Sequence, residues 1–162
     1  MKVKDLNELK DGDTVAIPDD ATNGGRALLL LQSAGLIKLN DGGSPLSTPA
    51  DIDASASKVK VTPVDAAQTV TSLPSVDGAV INNNFANDAG IDPKAALFAD
   101  SAKSDNAAPY INVFAARPED KNNETLLKAI KIWHDPEVAK AVLKDSNNSA
   151  VLVKDRSQAE LQ

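Results

Sequence analysis

The apolar positions of this 162-residue chain fall in short blocks between polar turns, and their spacing changes along its length. Val15-Ala16-Ile17 is a continuous apolar run that predicts a buried strand, ended at Pro18, which lacks the N–H a ladder needs. Residues 19–23 are turn and cap types. Residues 24–33 then read as a helix that is apolar on nearly every face, with Gly35 at the place of a C′ glycine. Val59-Lys60-Val61 alternates and predicts a strand, and Asp65 is placed to cap a helix running to about residue 72. Residues 78–81 form another buried run. Residues 97–99, 110–116 and 150–153 read as further strands, with 110–116 the strongest of these. Short helices or helical turns are expected at 6–10, 50–54 and 85–89, an extended piece at 36–39, and loops at 40–49 and 101–108. Past Arg117-Pro118 the period becomes helical: Leu126, Leu127, Ile130 and Trp133 form one stripe. Asp135-Pro136 restarts a helix as N-cap and N1, and 154–162 is a polar tail. Strands alternating with helices predict an α/β fold: a three-layer αβα lobe on a mostly parallel sheet, followed by C-terminal helices.

Candidate chemistry concentrates at Arg26. A cation in a helix's first turn opposes the dipole, at a cost of about 0.3–1 kcal/mol, unless an anion docks there. Asn23, Gly24 and Gly25 would let backbone N–H groups approach such an anion; equally, Arg26 could face water or pair with Asp19 or Asp20. In an open α/β sheet, ligands lie beyond the carboxyl ends of the strands. Asn23 to Arg26, Asn82 to Asn84, and Asn112 all fall at such positions. An arginine suits a carboxylate and asparagines suit an ammonium, so together they suit a zwitterionic amino acid. Asn82 to Asn84 could instead be a capped turn into the next helix, which is the better reading for Asn83.

Catalytic parts are scarce. His134, the single histidine, sits beside a helix junction and reads as a capping or solvated residue. There is no cysteine, no phosphate-loop spacing around Gly24-Gly25, and no set of residues with metal-ligand spacing. These absences argue against an enzyme and against a cofactor. A net charge of −6 with 3% aromatics and no basic patch argues against nucleic acid. No apolar run approaches the length of a membrane span.

Several runs carry a resemblance. Residues 14–39, TVAIPDDATNGGRALLLLQSAGLIKL, match almost continuously the A-x-P-N-D-x-T-N-x-G-R-x-L-L-L-L-x-x-A-G-L-I-K-L run of the methionine-binding lipoprotein family of NlpA/MetQ type. Leu6 to Gly12, Asp65 to Gln68, Ala79 to Asn82 with Asn84-Phe85-Ala86, and Pro109 to Val113 follow in the family's order. The chain thus resembles substrate-binding proteins of methionine ABC importers. The resemblance implies the type II periplasmic-binding-protein fold and a ligand of L- or D-methionine or a methionine dipeptide. It places the ligand carboxylate on Arg26 and lines the cleft with Asn23, Asn82 and Asn112, of which Asn82 and Asn112 are expected to converge. It implies residues 1–112 as the second, ligand-binding lobe, and 113–162 as a hinge strand and helical segment that packs on the first lobe. An ABC permease would be the partner, outside the cytoplasm at a lipid-anchored parent. This chain has neither a leader nor an anchoring cysteine, so it is expected to be a piece of that parent and to self-associate through its C-terminal helices. Departures from the family's pattern are Thr69 to Ser72, where a basic residue is common, Phe85 for tyrosine, and Ser149 for glycine. A protein-interaction module with an unused cleft is the alternative.

Overall fold

The computed structural model describes residues 3–100 and 105–153. The tail expected at 154–162 and part of the 101–108 loop lie outside them. The chain divides into two compact units, Met1–Asp100 and Ser101–Gln162.

The first unit is built on β1 (Thr14–Pro18), the central strand of a three-stranded sheet ordered β2-β1-β3. β2 (Lys60–Val64) and β3 (Gly78–Ala79) both run parallel to it, with Val15 opposite Val61 on one side and Gly78 on the other. Four successive residues of β1, Val15 to Pro18, are buried. Side chains alternate across a strand, so continuous burial means that β1 is covered on both faces. Pro18 is the last residue of β1, and the chain resumes hydrogen bonding one residue later, where the Asp19 N–H donates to the Val64 carbonyl at 2.9 Å. Pro63, inside β2, sits on a strand at the edge of the sheet, where a missing N–H is tolerated. Asp77 ties the start of β1 to the approach to β3, accepting from the Thr14 N–H at 2.9 Å and Oγ1–H at 3.2 Å.

Between β1 and β2 runs α1 (Ala21–Ser33). Gly24, Ala27, Leu28 and Leu31 form its buried stripe at i, i+3, i+4, i+7. The stripe meets Val15 and Ile17 of β1, and Leu36, Ile37, Leu39 and Val59 complete the core. Gly24 and Gly25 are there for space. A Cβ on Gly24 would stand 2.9 Å from the Pro18 carbonyl oxygen, and one on Gly25 would overlap the Pro45 carbonyl. Gly35 adopts φ +70° and ends the helix as its sequence position implied.

After β2, Asp65 caps a 3-10 turn (Ala66–Gln68) that leads into α2 (Thr69–Ser72). Thr69 is fully buried, its hydroxyl satisfied by the Ala66 carbonyl at 2.7 Å. After β3, α3 (Asn83–Asp88) ends ahead of Gly90 at φ +69°.

Three expected strands do not form. Residues 97–99, 111–116 and 150–153 carry no ladder hydrogen bonds. An extended segment becomes a strand only when another chain segment satisfies its backbone, and among the described residues none pairs with these three. Tyr110 instead closes a 3-10 turn, Asp105–Tyr110.

The second unit holds α4 (Glu124–Trp133) and α5 (Pro136–Asp145), capped by Asn123 and Asp135 as their sequences dictate. Its apolar side is poorly covered: Leu127, Trp133 and Phe114 are 50%, 50% and 57% exposed. Phe114 and Trp133 meet edge to face, with centroids 6.0 Å apart. His134 terminates α4, its Nδ1 2.9 Å from the Ile130 carbonyl oxygen, a capping role.

The packing of α1 against two carbonyls sets a stability test. Gly25→Ala should cost about 1–3 kcal/mol, the usual range for overpacking, because backbone rather than a flexible side chain must move. Urea unfolding of the variant would measure it; an unchanged midpoint would show that the 43–47 segment yields freely.

Candidate ligand site

The site forms where β1 gives way to α1. Asp20 is the N-cap of α1, with Oδ1 accepting the Asn23 N–H at 2.9 Å. Its Oδ2 accepts from the Asn23 side-chain Nδ2–H at 3.0 Å. These two bonds to Asn23, main chain first, hold the Asp20 carboxyl below the usual carboxylate range. A depressed carboxyl contributes stability above its unfolded pKa and loses it as the pH falls through the folded value, so this cap weakens only in acid.

Because the helix begins at Ala21, Arg26 is its sixth residue and lies beyond the first turn, where the expectation had placed it. The dipole penalty invoked for it therefore falls away, since that field decays within one turn. Asn23 and Arg26 remain neighbours, three residues apart on one helix face. The anion on Arg26 is one of the chain's own: Nε donates to Asp100 Oδ2 at 2.7 Å, and Nη2 approaches the same oxygen at 2.6 Å. Neither Asp19 nor Asp20 fills that place. The two side chains are 37% and 45% exposed. At that exposure an ion pair contributes about 0–1 kcal/mol, little enough for an incoming carboxylate to displace.

Asn82 comes to the same place from the other side of the sheet's end, following β3. It occupies the N-cap position of α3, yet its side chain does not cap that helix. Instead Nδ2 donates to Asn23 Oδ1 at 2.8 Å, across 59 residues of sequence. Its own Oδ1 is shielded from solvent and has no hydrogen-bond partner among the described residues. Leaving such an acceptor unmatched costs about 1–3 kcal/mol, and a donor placed there recovers it. Asn87 Oδ1 in α3 is in the same condition. Asn83 and Asn84 are exposed in the first turn of α3. Asn112 belongs to the second unit and is exposed there, in chain that is not a strand.

Of the residues proposed from the sequence, the structure brings Asn23 and Asn82 into contact, with Arg26 one turn along α1 from Asn23. Asp100 was not legible in the sequence: it lies 74 residues from Arg26, next to a segment expected to be a strand, and no local pattern points to it. The Gly24-Gly25 pair, read as room for an anion, is instead room for α1 to pack. Among the described residues no group of three or more acidic or histidine side chains is placed to hold a metal, and no helix is long and apolar enough to cross a membrane.

Asp100 should behave as a competitor for Arg26. Asp100→Asn is expected to tighten the binding of a carboxylate ligand by up to about fivefold, the equivalent of about 1 kcal/mol. Arg26→Ala should weaken it by about 1.5–3 kcal/mol. Calorimetry on both variants checks the pair, and an Arg26→Ala affinity within threefold of the parent would remove the arginine from the site.

Comparison with known proteins shows the family and the fold. The profile of the NlpA lipoprotein family matches residues 1–153. The D-methionine-binding lipoprotein MetQ of Salmonella typhi is 40% identical over 153 residues, which are 93% of this chain and 55% of that protein. Protein PG110 from Staphylococcus aureus superposes with a TM-score of 0.87 at 40% identity, over 99% of this chain and 64% of that one. The substrate-binding protein of a methionine transporter from Streptococcus pneumoniae gives 0.81 at 37% identity, over 91% and 57%. The chain spans about half the length of the curated relatives it matches. Its α/β unit has the fold of these binding proteins, and the chain belongs to the NlpA lipoprotein family.

Proposed function

We propose that this chain is the ligand-binding lobe, with the return segment, of a substrate-binding protein that delivers methionine or a methionine dipeptide to an ABC permease. In this reading the parent protein is two-lobed and is held outside the cytoplasm at the membrane. The observation that carries it is the unmatched, shielded Asn82 Oδ1 beside Asn23, with Arg26 three residues further along α1. A zwitterionic amino acid supplies what each needs. Its ammonium donates to Asn82 Oδ1, and its carboxylate takes the guanidinium of Arg26 in place of Asp100. The first replacement fills an empty acceptor with a charge-assisted bond, and the second exchanges an exposed carboxylate of the chain for that of the ligand. Support also comes from the names of the relatives, which are a D-methionine-binding lipoprotein and the binding protein of a methionine transporter. In the two-lobed protein the apolar face of α4 packs on the other lobe.

Calorimetric titration of L-methionine, D-methionine and methionine-containing dipeptides into the two-lobed protein tests the reading. Saturable binding of at least one is expected. Failure of all of them would favour the interaction module with an unused cleft.

The chain alone should bind methionine at millimolar affinity or weaker. Two or three charge-assisted bonds of about 1.5–3 kcal/mol each are largely offset by about 4 kcal/mol or more of association cost. With Leu127, Phe114 and Trp133 this exposed, it should also self-associate. Sedimentation velocity showing a strict monomer at high micromolar concentration would contradict that.

A further inference from the structure

We propose that Asp20, beyond capping α1, is a positioning residue for the ligand's cationic group: acting through Asn23, its carboxylate fixes the amide of Asn82 so that Oδ1 is the atom presented. The inference deepens the reading above and rests on it.

The argument is one of donors and acceptors. An ionised carboxylate only accepts. Asp20 Oδ2 lies 3.0 Å from the Asn23 side-chain nitrogen. Turning that amide over would set two acceptor oxygens against each other at the same separation, so Asn23 has one allowed orientation. Asn23 Oδ1 must then face Asn82, and it receives Asn82 Nδ2 at 2.8 Å. Turning Asn82 over would again oppose two oxygens. Each amide is locked by the one before it, and the series starts at a charge. Its far end is Asn82 Oδ1, shielded from solvent and unmatched among the described residues. An acceptor fixed in this way takes a donor, which an ammonium always is, and disfavours a group that only accepts, such as a carboxylate. The negative charge at the start of the series also polarises each bond in the direction that makes the last oxygen a better acceptor. It explains why Asn82, at an N-cap position, leaves its helix uncapped by its side chain.

The variant that separates positioning from capping is Asp20→Asn, because asparagine caps helices about as well as aspartate but can present either oxygen or NH2 to Asn23. In the two-lobed protein, binding of methionine is compared with binding of 4-(methylthio)butanoate, the same molecule without its ammonium. The parent should prefer methionine. In Asp20→Asn the ratio of the two affinities should fall at least tenfold, with the des-amino compound bound within about twofold of its parental affinity. An unchanged ratio would overturn the inference while leaving the ligand reading intact. Equal weakening of both compounds together with a lowered melting temperature would reduce Asp20 to a cap and overturn it as well. A parent with no preference for the ammonium would overturn the ligand reading and this inference with it. The series is also read without ligand: the Asn82 side-chain NH2 resonances in 1H–15N spectra should shift in Asp20→Asn, and resonances that stay in place would count against it.

Discussion

The close seating of α1 on the end of β1 is the constraint on which the rest of the first unit depends. The helix reaches the sheet only because Gly24 and Gly25 carry no side chain where the Pro18 and Pro45 carbonyls stand. That approach brings Ala27, Leu28 and Leu31 onto Val15 and Ile17 and so creates the core. It also fixes the first turn of α1 at the carboxyl end of the central strand, and every polar group of the candidate site is measured from that turn. At typical transfer values of about 25 cal/mol per Å² of apolar surface, the buried leucines of α1 stabilise the fold far more than any single polar contact. The site can therefore hold unmatched or replaceable partners without endangering the unit.

Two kinds of polar contact coexist there, and their magnitudes separate their roles. Asp20 to Asn23 is a short-range cap between residues the helix already holds together, so little entropy is lost in making it. Arg26 to Asp100 is an exposed pair between distant segments and contributes little. The first is suited to staying in place while a ligand binds, the second to giving way. Asn82 lies between them in kind: its donor is engaged and its acceptor is not. A site that is rigid on one side and exchangeable on the other can admit a zwitterion without rebuilding its backbone.

The second unit follows a different rule. Its helices have sound local signals, with Asn123 and Asp135 as caps and Pro136 at N1, yet among the described residues no apolar one in it belongs to the buried core. Caps and propensity suffice to define where a helix begins and ends. They do not supply a surface for its apolar stripe, and most helical stability in proteins comes from such a surface.

By itself the sequence determined what short-range physics controls. The apolar run at β1, the cap and glycine signals of α1, α4 and α5, the α/β alternation, and the residue types able to meet an amino acid could all be read from neighbours a few positions apart. Its pattern, carried over a long ordered stretch, also pointed to the family. Tertiary structure decided whatever depends on a partner far along the chain. Residues 110–116 had every local mark of a strand, but among the described residues no second strand satisfies their backbone. Arg26 was paired with Asp100 rather than with an aspartate close in sequence. Asn82 met Asn23 across 59 residues. In each case, the energy of the local conformation is small beside that of a hydrogen bond made or left unmade. Which of these bonds forms is set by how the sheet and its first helix pack.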